Sequence, residues 1–587
     1  MFKFHRFVPC LGIAVAALSL SAAAQRGGRG AGAAGTGAPP EEGIPVTSAD
    51  VQNACGACHT IDDKRMMSRI SYRRASPENW ELTIRRMIAL NGLDVSPEQA
   101  RRIIKYLADN HGLAPEEARP AAFEAERRLI DWTYTADAET ADVCSRCHSM
   151  GRVISERRTS EDWSSLIAMH RGYYPLVDSS GGFRRGARGG AGGGAGPGGS
   201  GGARGGAPAD NRQPMDRIHD HLARTFPLQT PEWAAWSAAM RSPKLAGRWA
   251  ISAYQIGKGA VYGEVRITDQ PGAPDGFLTE ARLVYAKTGT AETRRSRAIV
   301  YTGFQWRGRS ADATSEENTW REVAFVDRGW NQIDGRWFTG AYDEIGMDVN
   351  LRRVAADPVV LGTSVPSIRR SSTGRIVQIY SANLPARLMA ADVDFGQGIK
   401  VTRINASTPT VVTVTMDVAA DARVGPRDLW LAGSSKPAAL VIFDRIDGIK
   451  VVPEWGMARV GGVVFPKQLQ QFEVHAVAYG ADGKPDTKDD LDLGAVDARW
   501  SMEEYPATFR DDDVKFVGEL SSGGLFVPNL DGPNPQRSGN RNNVGDVWVV
   551  ASYTPEGAST TLKARAHLLV TEPLYMNWEP KQIGLGR

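Results

Sequence analysis

The sequence has few cysteines, almost no net charge and no long apolar run beyond its first residues. Of 587 residues only five are cysteine, and 70 basic side chains face 67 acidic ones, a formal charge of +3. Such a balance gives no global attraction to nucleic acid or anionic lipid. Outside the N-terminus no stretch approaches the about 20 apolar residues of a membrane-spanning helix. With 42% hydrophobic and 23% charged residues, the composition is that of a globular protein, and the length predicts about three to five domains.

The first residues have the pattern of a secretory signal peptide. Lys3, His5 and Arg6 form a basic start, residues 7–24 are apolar, and the small residues at 21–24 suit a signal peptidase. A retained membrane anchor is the alternative, but the apolar run is short for a span. Removal of 1–24 takes two of the 70 basic residues and no acidic one, so the formal charge falls to +1. We therefore expect an exported, periplasmic protein with no nucleic-acid partner and no membrane span after signal removal.

All the cysteines beyond the signal segment lie in two C-x-x-C-H motifs. These are Cys55-Gly-Ala-Cys58-His59 and Cys144-Ser-Arg-Cys147-His148. Two thiols at this spacing can add to the two vinyl groups of a haem, and the adjacent histidine can then bind the iron. Two disulfides or a zinc site are the alternatives. Because no cysteine is left over, the pattern favours two covalently bound c-type haems, attached by the four cysteines and ligated by the two histidines.

A degenerate repeat follows the two motifs and predicts the second ligand of each iron. Residues 76–80 (Ser-Pro-Glu-Asn-Trp) correspond to 160–163 (Ser-Glu-Asp-Trp), and in both copies a serine before acidic residues predicts a helix N-cap. Alignment of the tryptophans places Met87 opposite His170, each on the same helix face as its tryptophan. We therefore predict these two residues as distal ligands, with the Met–His haem at the higher reduction potential.

Other distal ligands compete with this pair in the same part of the chain. They are Met66, Met67, His111 and Met169. A coordinatively open iron is a further alternative, and it would permit peroxidase-like chemistry. We assign no catalytic residue to this chain, because no Walker A or H-E-x-x-H segment occurs in it.

Composition and periodicity divide the rest of the chain. Residues 25–44 predict a flexible lead-in, and the Gly- and Arg-rich residues 179–212 a disordered insertion. Between them, 45–178 is the predicted dihaem domain, and 213–244 is predicted to be a helical connector. After about residue 245 the hydrophobic pattern alternates, with turn residues about every ten positions, which predicts an all-β second half.

The two C-x-x-C-H motifs, the Asn79-Trp80-x-x-x-Ile84-x-x-Met87 segment and the β half resemble the alpha subunit of quinohemoprotein amine dehydrogenase. The resemblance implies a helical dihaem cytochrome c domain, an antiparallel β-barrel at 245–355 and two immunoglobulin-like β-sandwiches. The first sandwich, at 356–445, is of IPT/TIG type, and the second spans 446–587. The insertion at 179–212 departs from the pattern expected of the family.

The resemblance also implies partners. In that family a propeller beta subunit and a small gamma subunit join the alpha subunit, and the gamma subunit carries a cysteine tryptophylquinone that oxidises primary amines. Electrons then leave through the alpha haems to a soluble periplasmic redox protein. This chain has no cysteine to spare for such a quinone, so we expect the amine-oxidising centre only in a partner.

Two other functions compete with electron transfer in an amine dehydrogenase. One is a free-standing dihaem electron carrier that serves a different dehydrogenase, with β domains for binding a partner or the envelope. The other is a dihaem peroxidase with an open iron, which the presence of a distal candidate for each haem disfavours.

Overall fold

The computed structural model describes residues 42–121, 134–145, 148, 150–178, 210, 212–312, 315–339, 345–506 and 511–573. The predicted signal peptide and most of the insertion at 179–212 lie outside these residues. The helices of the N-terminal region are α1 (Ala49–Cys55), α2 (Pro77–Asn91), α3 (Pro97–Asn110), α4 (Pro115–Ala118), α5 (Ala138–Cys144), α6 (Gly151–Ile154), α7 (Ser160–Tyr173), α8 (Pro214–Thr225) and α9 (Pro231–Ala239). Among the residues that the structure describes, no helix is long and apolar enough to cross a membrane.

The helical region consists of two units with the same order of elements. In each unit a helix ends on the first cysteine of the C-x-x-C-H motif, as α1 does at Cys55 and α5 at Cys144. A three-residue strand and a long helix follow, which are β1 (Arg73–Ala75) with α2 and β2 (Glu156–Arg158) with α7. A third helix closes each unit, α3 in the first and α8 in the second.

Equivalent hydrogen bonds hold the two units together internally. The indole Nε1–H of Trp80 donates to the carbonyl of His111, which caps α3, at 2.9 Å. Likewise Trp163 donates to the carbonyl of Phe226, which caps α8, at 3.1 Å. In both units the last strand residue donates its N–H to the same carbonyl. The repeat found in the sequence is therefore a repeat of tertiary structure as well.

The helix caps of the two units correct one detail of the sequence analysis. The Ser76 hydroxyl accepts the Asn79 N–H at 3.3 Å, so Ser76 is the N-cap of α2 as expected. In the second unit Thr159 caps α7 through the Asp162 N–H at 3.2 Å, and Ser160 is the first helical residue. The prediction of Ser160 as N-cap was wrong by one position, because either hydroxyl residue can cap a helix.

Helix α8 belongs to the core of the second unit. Its buried residues Met215, Ile218 and Leu222 pack in one cluster with Trp163 and Ile167 of α7. The sequence treated 213–244 as a connector, but only the part around α9 links the units to the barrel. The tryptophans of α9 pack with barrel phenylalanines in a separate cluster.

Eight antiparallel strands form a closed barrel after the helical region. The strands are β3 (Gly247–Gln255), β4 (Gly259–Asp269), β5 (Gly276–Tyr285), β6 (Ala291–Tyr301), β7 (Gln305–Asp312), β8 (Ser315–Val326), β9 (Gln332–Thr339) and β10 (Ile345–Arg353). Each strand pairs with the next, and β10 returns to pair with β3. Four tryptophans fill much of the interior: Trp249, Trp306, Trp320 and Trp337. The predicted antiparallel barrel is confirmed.

A sandwich of two four-stranded sheets follows the barrel. Its strands are β11 (Val359–Thr363), β12 (Ser367–Arg369), β13 (Ser372–Ala382), β14 (Val393–Asp394), β15 (Ile399–Ser407), β16 (Val411–Val418), β17 (Gly425–Leu431) and β18 (Ser434–Phe443). The sheets have the orders β11-β13-β16-β15 and β12-β18-β17-β14. Inward residues of both sheets, such as Val414 and Leu440, share one buried cluster.

The C-terminal part is also built of β-sheets. It contains β19 (Gly448–Val452), β20 (Trp455–Arg459), β21 (Gln470–Gln471), β22 (Glu473–Ala478), β23 (Leu491–Val496), β24 (Arg499–Glu504), α10 (Asp513–Phe516), β25 (Gly518–Leu520), β26 (Leu525–Pro528), β27 (Gly545–Tyr553) and β28 (Leu562–Thr571). Its largest sheet has the order β20-β28-β27-β24, and a further sheet has the order β19-β22-β23. The prediction of an all-β second half is confirmed.

Candidate haem-binding sites

The first C-x-x-C-H motif stands at the end of α1. Cys55 is the last residue of this helix and is buried, whereas Cys58 is exposed and His59 is half-buried. The backbone N–H of His59 donates to the Cys55 carbonyl at 2.9 Å, which keeps the motif in one turn. The ring Nδ1–H of His59 donates to the carbonyl of Ser68 at 2.8 Å. Because a carbonyl only accepts, this bond assigns the proton to Nδ1 and leaves the Nε2 lone pair for a metal.

Met87 lies in the last turn of α2. The helix ends there because Gly92 adopts a left-handed conformation, with φ of 69°, and its N–H bonds back to the Met87 carbonyl. The side chain of Met87 is half-buried, while Trp80 and Ile84 of the same helix are buried in the core that contains Cys55. Met87 thus belongs to the same unit as His59, and its binding to iron stays a prediction.

The second motif has the same placement at the end of α5. Cys144 is the last residue of that helix, and Cys144 and His148 are both half-buried. Cys147, the other predicted attachment point, lies outside the described residues. The shared placement on equivalent helix ends is what a repeated haem-binding unit requires, since the attachment pattern depends on local backbone geometry.

His170 is the counterpart of Met87 and lies on α7. Its ring Nδ1–H donates to the carbonyl of Leu166, one helical turn earlier, at 2.9 Å. The ring is half-buried and stands edge-on to Tyr174, with ring centroids 6.0 Å apart. As in His59, the bond to a carbonyl places the proton on Nδ1 and leaves Nε2 as the donor atom for iron.

These side chains fit a haem iron in their chemistry. Histidines that ligate a metal through one ring nitrogen commonly donate the other N–H to a backbone carbonyl, which fixes the tautomer and the ring orientation. His59 and His170 both show this arrangement. With Cys55 and Cys144 at the two helix ends and a thioether sulfur at Met87, the donor set suits haem and not a hard cation such as calcium.

The competing distal candidates differ in position. Met67 is fully buried in the core of the first unit, and Met66 and Met169 are half-buried. His111 is also fully buried, and burial lowers its pKa to about 4, so its ring is neutral at physiological pH. The equivalent position of the second unit is Phe226, which cannot bind iron. The equivalence therefore favours a packing role for His111.

Four buried arginines between the two units were not predicted from the sequence. Strands β1 and β2 pair antiparallel with Arg73 opposite Arg158, Arg74 opposite Arg157 and Ala75 opposite Glu156. We call these two strands the arginine ribbon, defined by Arg73, Arg74, Arg157 and Arg158. All four side chains are buried. The signal was present in the sequence as an Arg-Arg pair before each helix cap, but spacing alone does not say that the two pairs meet.

On one face of the arginine ribbon two arginines share a glutamate. Arg73 and Arg158 both bind Glu156, at 2.5 Å and 2.6 Å, and Arg158 also pairs with Asp162. Burial by itself raises the pKa of Glu156, but the charges of Arg158 and Arg73 outweigh it and hold the pKa below its usual range. Glu156 is therefore a buried anion at neutral pH.

The other face repeats this arrangement with Arg74, Arg157 and Glu117. Arg74 makes two hydrogen bonds to the Glu117 carboxylate, at 2.7 Å and 3.0 Å, and Arg157 contacts the same carboxylate at 3.2 Å. Burial lowers the pKa of both Arg73 and Arg157 to about 10, so both remain charged at neutral pH. Each face of the ribbon thus holds two buried cations that share one glutamate, and on the first face Asp162 adds a second buried carboxylate beside Arg158.

Comparison with curated proteins finds no match. Among solved structures the chain is similar to a redesigned beta barrel, at 14% identity over 19% of this chain and 92% of that chain, with a TM-score of 0.17. It is also similar to Drosophila N-cadherin EC1-4, at 10% identity over 57% of this chain and 95% of that chain, with a TM-score of 0.13. Scores this low carry no argument about fold or function.

Comparison with protein families is decisive. The family description "Quinohemoprotein amine dehydrogenase A, alpha subunit, haem binding" matches residues 46–185, which contain both C-x-x-C-H motifs. Domains II, III and IV of the same alpha subunit match residues 242–354, 365–444 and 449–583. Since four domains of one subunit match in succession along most of the sequence, the chain belongs to the quinohemoprotein amine dehydrogenase alpha-subunit family, and its helical region is the haem-binding domain.

Proposed function

We propose that this protein is an exported dihaem c-type cytochrome that carries electrons from a quinone-bearing partner subunit, which oxidises primary amines, to a soluble periplasmic acceptor. Membership of an alpha-subunit family implies partner subunits. The identity of these partners as a propeller beta subunit and a quinone-bearing gamma subunit is part of the proposal. So are the covalent attachment of two haems and the export by residues 1–24.

One observation carries the proposal, and it is the duplicated unit. Each copy has a helix that ends on the first cysteine of a C-x-x-C-H motif, a buried tryptophan at the start of a long helix, and a closing helix. A single haem would need only one such unit. The duplication supports two haems held in similar surroundings, which suits passage of one electron at a time through the subunit.

The side chains of this chain would hold and orient the two haems. Cys55, Cys58, Cys144 and Cys147 would form thioether bonds, and His59 and His148 would bind the irons from one side. When bound, haem supplies a centre that gains and loses one electron. The hydrogen bonds from Nδ1 of His59 to the Ser68 carbonyl and from Nδ1 of His170 to the Leu166 carbonyl would fix the orientation of each ring and leave Nε2 as the atom available to an iron.

The experiment uses the protein purified anaerobically from its native host with any bound subunits. Pyridine haemochrome analysis of the denatured chain should give two covalent haems per chain. Addition of short unbranched primary amines should then produce the absorption band of reduced haem rapidly. Matched tertiary amines should not, because they cannot condense with a quinone carbonyl.

The two parts of the proposal fail separately. Fewer than two covalent haems per chain would contradict the dihaem assignment. Two haems that dithionite reduces, but that no primary amine reduces, would contradict amine oxidation and favour a dihaem carrier that serves a different dehydrogenase.

A further inference from the structure

The arginine ribbon lies on the axis that relates the two haem-binding units. Exchange of the units replaces Arg73 by Glu156 and Ala75 by Arg158, since the aligned tryptophans are Trp80 and Trp163. Under this exchange the pair Arg73–Arg158 becomes the pair Glu156–Ala75, and the central pair Arg74–Arg157 becomes itself. The local two-fold axis therefore passes through the central pair. The ribbon as a whole therefore lies between the two units, and only its central pair of arginines is equivalent in both.

The ribbon is also in contact with equivalent parts of both units. The guanidinium of Arg73 lies over the ring of Trp80, 4.6 Å from its centroid, and that of Arg158 lies over Trp163 at 5.5 Å. Each tryptophan is in the first turn of the helix that carries the predicted distal ligand. Glu156 joins the two arginines, so an unbroken chain of buried contacts runs from Trp80 to Trp163.

The charges of the ribbon do not cancel. Four buried arginines face the shared carboxylates of Glu117 and Glu156, and Asp162 divides its charge between Arg158 and the more exposed Arg69 at 3.1 Å. A buried charge is screened much less than an exposed one. Reduction of a ferric haem adds one electron, so a fixed positive charge nearby favours the reduced form.

We propose that the arginine ribbon raises the reduction potentials of both haems together, and that Glu156 limits how far it raises them. This inference rests on the proposed function, because it requires two haems in these units. Glu156 and Arg73 would change the reduction potentials through their charges, without contacting the iron. A cationic element shared by both units favours entry of electrons from a donor while leaving the difference between the two haems to their ligands.

The test compares two variants with opposite expected effects. Glu156→Gln removes a negative charge and should raise both potentials, whereas Arg73→Gln removes a positive charge and should lower both. By Coulomb's law, at an effective dielectric constant of about 20, a tenfold change in a reduction equilibrium constant corresponds to one unit charge about 12 Å from the redox centre. The measurement is a redox titration with dithionite as reductant, in which the absorption band of each haem is followed. The low-spin absorption spectrum and the number of haems per chain are recorded as well.

A matched control is Glu81→Gln, which removes a half-exposed carboxylate on α2 that pairs with Arg85. It should change either equilibrium constant less than twofold. Opposite shifts of about tenfold for Glu156→Gln and Arg73→Gln, with unchanged spectra, support the inference. Shifts of the potentials in the same direction for both variants would overturn it. Such shifts would come from loosened packing that lets water reach the haems, and not from the sign of the charge removed.

A second glutamate keeps the test decisive if Glu156→Gln does not fold. Glu117→Gln removes the shared carboxylate of the other face and should also raise both potentials. Folded variants that keep two haems per chain would overturn the inference if their reduction equilibrium constants stayed within twofold of the wild-type values. Fewer than two haems per chain in the wild-type protein would instead contradict the proposed function.

Discussion

Glu322 makes the stability of the barrel depend on pH. It lies on β8, fully buried, and one carboxylate oxygen accepts the Nε1–H of Trp306 at 2.8 Å. Gly308 stands opposite it on β7, where a Cβ atom would lie 2.4 Å from the same carboxylate. The missing side chain of Gly308 therefore makes room for the carboxyl group. Burial raises the pKa of Glu322 to about 7.

The sign and size of the effect follow from this pKa. The folded barrel binds the Glu322 proton more tightly than the unfolded chain, whose pKa is the ordinary 4.5. The stabilisation that comes from protonated Glu322 is therefore complete below pH 4.5, and it is lost as the pH rises through 7. At about 1.4 kcal/mol per pH unit, the loss approaches about 3 kcal/mol by pH 8 and is below about 1 kcal/mol at pH 5.

The perturbation is Glu322→Gln, which keeps an oxygen for Trp306 and never ionises. At pH 8 the variant should be more stable than the wild type by about 3 kcal/mol, and its β7 and β8 amides should exchange roughly a hundredfold more slowly. At pH 5 the wild type and the variant should be nearly equal in stability. Hydrogen exchange followed by mass spectrometry at matched pH measures this directly, since intrinsic exchange rates then cancel.

Glu264→Gln is the control, because Glu264 lies on the outside of the barrel and pairs with Arg248 at 2.6 Å. It should leave the exchange of β7 and β8 unchanged at both pH values. Equal exchange of these strands in wild type and Glu322→Gln at pH 8 would refute the reasoning, since it would mean that the carboxylate ionises inside the barrel without cost.

Other predictions concern the haem ligands and the insertion. Met87→Ala should change the absorption spectrum and lower the potential of one haem only, and an unchanged spectrum would reject Met87 as ligand. His170→Ala should change the spectrum of the other haem, whereas Met169→Ala, one residue away, should leave both spectra as they are. Deletion of residues 181–206 should leave two haems per chain, and loss of a haem would show that the insertion is needed for the second unit.

Local patterns in the sequence were enough to predict much of this protein. The C-x-x-C-H motifs predicted two equivalent attachment sites, and the structure places Cys55 and Cys144 at equivalent helix ends. The tryptophan repeat predicted that Trp80 and Trp163 are equivalent, which their hydrogen bonds confirm. Alternating hydrophobicity predicted the all-β second half, since strand faces repeat every two residues, whereas the barrel at 245–355 was implied by the family resemblance.

Contacts between distant segments could not be read from these patterns. Nothing in the spacing shows that Arg73 faces Arg158, because pairing of two three-residue strands more than 80 positions apart is decided by how the two units pack. For the same reason α8, which follows the insertion, could not be assigned to the second unit until its apolar face was seen in that core.

Whether a feature could be predicted from the sequence depends on the range of the interactions that form it. The C-x-x-C-H spacing, helix caps and strand alternation depend on residues a few positions apart, so the local order of amino acids predicts most of them. The shared charges of the arginine ribbon and the burial of Glu322 depend on side chains that meet only after the chain has folded. Their electrostatic consequences arise from exclusion of water, which tertiary packing alone provides.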